Sequence, residues 1–120
     1  MNDQASLWSE IYASLAWRLP TSDPTPQHRL NRLVREHFPG LSQLLGEATC
    51  VAHRKALPPD AVGGLKLWHN RAKPAQLGGS VILFSHLGVL AVIDGNNRVN
   101  SHLASDSQEP ISAIVIAVRG

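Results

Sequence analysis

Leu7, Ile11 and Leu15 recur every fourth residue, and Trp8, Tyr12 and Ala16 form a neighbouring stripe, a spacing that lays apolar side chains along one side of a helix. Ser6 stands where an N-cap would open this helix, and Pro20 helps to stop it. The breaker-rich TSDPTP follows, and Thr25 before Pro26 has the order of an N-cap and a first helical residue. The second helix then sets Leu30, Leu33, Val34 and His37 on one face. Pro39 and Gly40 close it, and residues 41–45 predict one more short helical turn ended at Gly46.

Beyond that point the period shortens. Residues 48–53 predict a short strand, and LPPDAVGG at 57–64 is too rich in Pro and Gly for anything but a loop. KLWH at 66–69 has the makings of a short strand, followed by the polar NRAKPAQLGG. Residues 81–84 and 89–93 are two β-rich runs separated by SHLG, which predicts a hairpin. DGNN is a tight turn, residues 97–104 suit a helix, SDSQEP is a loop, and residues 111–118 form a nearly continuous apolar run that fits a buried strand. The expected fold is α+β: a helical part over 1–47, then a small mixed sheet over 48–120 that ends in a hairpin, helix and strand.

Length and composition narrow the picture. The 120 residues fit one domain, and 43% hydrophobic with 17% charged residues fits a compact chain rather than a disordered tail. Eleven basic against nine acidic side chains give a formal charge of +2, too small to indicate nucleic acid by itself. A single cysteine, Cys50, excludes a disulfide scaffold or a zinc site built on several thiolates, and points to the cytoplasm. No apolar run approaches the roughly 20 residues a bilayer requires, and no basic leader precedes the first apolar residues, so neither membrane insertion nor export is expected.

The densest polar signal is Asp94-Gly95-Asn96-Asn97-Arg98, directly after a predicted strand and at the start of a predicted helix. Free amides at a helix N-terminus, a glycine that lets the chain approach a ligand and an arginine in the first turn suit a phosphate or a carboxylate. Arg98 would supply charge and forked donors, and Asn96 and Asn97 could orient backbone or ligand. The plainer reading is a well-made turn in which Asp94 pairs with Arg98 and caps the helix.

The run VILFSHLGVLAVIDGNNRVNSHLASDSQEPISAIVIAV resembles the ParB/sulfiredoxin-like fold, in which a hairpin leads into a G-x-x-R box, a helix, a loop and an apolar strand. The box here is Gly95-Asn96-Asn97-Arg98, and the resemblance covers about residues 80–118. It implies that Gly95, Asn96, Asn97 and Arg98 hold the phosphates of a nucleotide such as ATP or CTP, or of DNA. It also makes Asp94 a candidate ligand for Mg²⁺ or another divalent cation. Sulfiredoxins carry a cysteine within the box, where this chain has Asn96 and Asn97, so sulfinic-acid repair is disfavoured. Partition-type members continue into a DNA-reading domain, for which nothing remains after Gly120. A stand-alone ParB-like protein is the expectation. Such proteins resemble nucleases or nucleotide hydrolases, some plasmid-encoded and acting in DNA maintenance or against DNA transfer.

On that reading Asp94, Arg98 and His102 are the catalytic candidates, with Arg98 stabilising developing charge and His86 or His102 converging near Asp94 as a general base or metal ligand. The plainer reading of His86 and His102 is a surface turn residue and an exposed helical one. His53, Arg54, Lys55, Lys66, His69, Arg71 and Lys73, with Trp68 among them, form a loose basic grouping that could face nucleic acid or simply be solvated. The alternative function is a non-catalytic inhibitor or immunity-type module that binds a protein partner through the helical part. In its favour, only Asp94, Asp106 and Glu109 supply carboxylates near the box.

Overall fold

The computed structural model describes residues 3–17, 19–69, 80–105 and 108–119. Its elements in chain order are α1 (Gln4–Ala16), α2 (Pro26–His37), β1 (Cys50–Leu57), α3 (Pro59–Val62), β2 (Val81–His86), β3 (Val89–Asp94), α4 (Asn96–Ala104) and β4 (Ile111–Val118). The architecture is α+β, as expected, around one mixed sheet in the order β1-β4-β2-β3. β4 runs antiparallel to β1 and parallel to β2, and β2 and β3 form the antiparallel hairpin.

The apolar run of β4 follows from its central place. Ile114 and Ile116 point into a core shared with Leu7, Trp8, Ile11 and Leu15 of α1 and Leu30 and Val34 of α2. Ile111, Ala113 and Val115 point the other way, into a core with Leu83, Val92, Val62 of α3 and Val99 of α4. A strand buried on both faces reads as continuous rather than alternating hydrophobicity. The helical part is therefore a layer on the sheet. Among the described residues no helix is long and apolar enough to cross a membrane.

Several local boundaries differ from the sequence expectation. The N-cap of α1 is Asp3, whose carboxylate accepts the Ser6 amide at 3.1 Å, so Ser6 lies inside the first turn. Thr25 does cap α2, accepting the His28 amide at 3.2 Å, with Pro26 in the first turn. Residues 41–45 are not helical. Side chains of α2 hold their backbone instead: Asn31 accepts from the Leu45 amide and donates to its carbonyl, and Arg35 donates to the carbonyls of Leu41, Ser42 and Gln43. The Pro/Gly-rich 57–64 stretch contains α3, because Pro59 suits a first helical turn where no amide donor is needed.

The strand predicted over 48–53 is Cys50–Leu57, extended by four residues, three of them exposed, that the β4 ladder keeps in register. The 66–69 segment is no strand but makes one bridge along the outer edge of β3, with the Lys66 amide on the Leu90 carbonyl at 2.8 Å and the Val92 amide on the Lys66 carbonyl at 2.9 Å.

Candidate functional site at the β3–α4 corner

The chain leaves β3 at Asp94, turns through Gly95 with φ +100° and enters α4. Two constraints require glycine there. The backbone is left-handed, and a Cβ at this position would lie 2.7 Å from Val81 Cγ1. Gly95, the N-cap residue, has no side chain with which to cap α4, and the first intrahelical bond runs from the Val99 amide to the Gly95 carbonyl at 3.0 Å. By helix geometry the amides of Asn96, Asn97 and Arg98 have no acceptor within the helix, and the positive end of its dipole lies at the same corner.

Asp94 does not point at this corner. Leu83 pairs with Val92 but Ile82 pairs with Asp94, so Ile93 is an extra residue in β3, a bulge. The bulge sets Asp94 beside Ile82 on the face covered by α1, where its carboxylate accepts a hydrogen bond from the Ser14 hydroxyl. The plainer expectation for Asp94, a cap for α4 paired with Arg98, is likewise corrected: its carboxylate bonds Ser14, and the N-cap residue of α4 is Gly95.

The three groups expected to converge are apart. His86 pairs with Val89 at the far end of the hairpin, four residues along β2 from Ile82 or about 13 Å, and packs edge-on against Phe38 at 5.2 Å. His102 lies on α4, on the opposite face of the sheet from Asp94. Arg98 and His102, by contrast, are one turn apart on the same side of α4. His102 Nε2 and Asn97 Oδ1 are buried atoms with no hydrogen-bond partner among the described residues.

Asn96 has a structural task that its place in the box did not foretell. Its Oδ1 accepts the Trp68 amide at 2.7 Å and its Nδ2 donates to the His69 carbonyl at 3.1 Å. Asn100, one turn on, donates to the same carbonyl at 2.7 Å. The pair clamps the 68–69 backbone to α4. Asparagines at i and i+4, flanking the buried Val99, were the available sequence signal for Asn100. Trp68 in turn stacks on His37 at 3.6 Å, and the His37 ring donates from Nε2 to the Val92 carbonyl at 3.0 Å, since a carbonyl can only accept. Burial pushes the His37 pKa below its ordinary value, opposed by the Val92 carbonyl and reinforced by the charge of Lys66.

The loose basic grouping is not one surface. His53, Arg54 and Lys55 lie on β1 and Lys66 on the outer edge of β3, opposite edges of the sheet separated by three strand spacings, about 14 Å. Arg71, Lys73 and Asp106 lie outside the described residues. Among the described residues no group of three His, Cys, Asp or Glu side chains converges. The described groups at the corner do not fit a divalent cation: Asp94 faces away toward Ser14, Asn96 Oδ1 is taken by the Trp68 amide, and a single neutral oxygen, Asn97 Oδ1, remains beside amides and an arginine. The chain matches no family model, no curated protein and no solved structure.

Proposed function

We propose that this chain is a phosphate-binding module of the ParB/sulfiredoxin-like kind, holding a nucleotide such as ATP or CTP, or a DNA phosphate, at the start of α4. The observation that carries this reading is the start of α4 behind left-handed Gly95, an N-cap residue with no side chain of its own to fill the site. Amides that lack intrahelical acceptors, a helix dipole and an arginine in the first turn together favour an anion. Arg98 adds a forked, charge-bearing donor. The buried and unpartnered Asn97 Oδ1 and His102 Nε2 are further polar atoms on the same helix, although about 140° apart around it, so they would not grip one group jointly. With Asp94 turned to α1, binding without hydrolysis is the form of the reading that the side chains favour. Cytoplasmic nucleotide or DNA is the proposed ligand pool, consistent with a single buried thiol, Cys50.

Titration with ATP, CTP and inorganic pyrophosphate tests this. The expected result is amide NMR shifts centred on residues 95–98, and a loss of affinity of about tenfold to a hundredfold in Arg98→Ala, the range set by losing a charge-assisted hydrogen bond. Circular dichroism first checks that the variant is folded. Absence of shifts at millimolar ligand would overturn the assignment, and equal affinity in Arg98→Ala would remove Arg98 from it. Incubation with DNA and Mg²⁺ or Mn²⁺ reads hydrolysis separately, and turnover there would overturn the non-hydrolytic form.

A further inference from the structure

Among the described residues β1 is an edge strand paired only with β4, and its outer side is half closed. The Cys50 amide bonds the Gly46 carbonyl at 2.9 Å. The Gln4 side chain then acts as a surrogate peptide, donating to the Ala52 carbonyl and accepting the Ala52 amide at 3.0 Å. Because alternate residues of a strand present their backbone groups to the same side, Arg54 and Ala56 also direct an amide and a carbonyl outward. No hydrogen bond reaches these four groups among the described residues. Residues 53–56 are all exposed, so this half of β1 is uncovered on both faces as well as along its edge.

The side chains along this opening are His53, Arg54 and Lys55. Arg54 pairs with Glu10, whereas His53 and Lys55 have no carboxylate partner among the described residues. We infer that the open half of β1 is a docking edge for an extended acidic peptide, added as a fifth strand beside Arg54 and Ala56.

Charge selects this occupant. A second copy adding its own β1 would oppose basic residues to basic residues, which is destabilising between directly facing strands. A phosphate backbone offers acceptors and leaves the carbonyls of Arg54 and Ala56 unused, whereas a peptide presents donors and acceptors in alternation. Glutamates at alternate positions would face His53 and Lys55 on one side of the added strand. The edge is independent of the β3–α4 corner, since β1 and β3 are the two outer strands of the sheet.

Fluorescence anisotropy with a labelled heptapeptide alternating glutamate and valine tests the proposal on the full chain. Saturable binding is expected, with hydrogen exchange slowed at the amides of Arg54 and Ala56. The same peptide N-methylated on its pairing edge should bind roughly tenfold more weakly. Lys55→Glu, a surface change, should weaken binding about fivefold, and a lysine–valine peptide should not bind measurably. No binding at about 1 mM peptide, equal binding of the lysine or N-methylated peptide, or unchanged affinity in Lys55→Glu would overturn it. So would a single-stranded oligonucleotide that slows exchange at Arg54 and Ala56 when the glutamate peptide does not.

Discussion

Leu87 sits at the tip of the β2–β3 hairpin with φ +52° and 86% of its surface exposed, followed by Gly88 at φ +78°. A two-residue connection with both central residues left-handed is the turn that matches the twist of paired strands, and it favours Asn-Gly. A leucine there sets its Cβ against the neighbouring carbonyl and leaves an apolar side chain in water. Leu87→Asn should therefore stabilise the fold by about 1 kcal/mol, raising the melting temperature by about 4 °C in a thermal scan. A decrease would mean that Leu87 makes contacts that offset its backbone cost. In the sequence, SHLG marks the hairpin but not its turn. His86 and Val89 extend the ladder, and only the backbone angles reveal which two residues carry the reversal.

Among the elements, the Ser14–Asp94 hydrogen bond ties α1 to the end of β3, the strand that leads into the corner proposed to bind phosphate. Removing the charge of the acceptor should loosen this joint. Asp94→Asn is expected to lower unfolding free energy by about 1–2 kcal/mol in urea and to leave phosphate affinity within twofold, because the carboxylate faces α1 and not α4. A large loss of affinity without a loss of stability would return Asp94 to the binding site.

The limits of the sequence are visible in the same elements. Thr25-Pro26, the hairpin and the apolar run of β4 are legible because local chemistry and burial agree. Asp94 was misdirected because a bulge at Ile93 reverses the face of the residue after it, and nothing in VLAVID marks an unpaired position. The 41–45 turn failed because Asn31 and Arg35 bind its backbone from another element. The place of Gly95 and Arg98 at the β3–α4 turn is legible from order along the chain, whereas the clamp of Asn96 and Asn100 on Trp68 and His69 is a contact across nearly thirty residues that spacing does not encode.

At the scale of the whole molecule, His37 joins three regions: it belongs to α2, bonds Val92 of β3 and stacks on Trp68. Its pKa in the fold is lowered from 6.5, first by burial, so the unfolded chain takes up a proton more readily than the folded one. The stability this neutral ring contributes is complete above about pH 6.5 and is lost as the pH falls toward the lowered folded value. Urea midpoints should accordingly drop between pH 7.5 and 5.5, and His37→Gln, which keeps a neutral donor for Val92, should flatten that slope. An unchanged slope in the variant would assign the pH dependence to another group.

The strand order β1-β4-β2-β3 also governs how the protein is made. The strand that joins β1 to the hairpin, β4, follows all three of its sheet neighbours in sequence, so translation delivers β1, β2 and β3 before the sheet can close. Until β4 arrives, the inward side of β1 and the side of β2 away from β3 are both unpaired, and Cys50 must find Val118 across nearly seventy residues of chain. The hairpin can form early and locally, but the cooperative step waits for β4, which places this fold among those whose assembly is slowed by distant pairings. The nascent chain consequently exposes two sheet edges at once, the interval in which chaperone capture or mispairing would compete with folding.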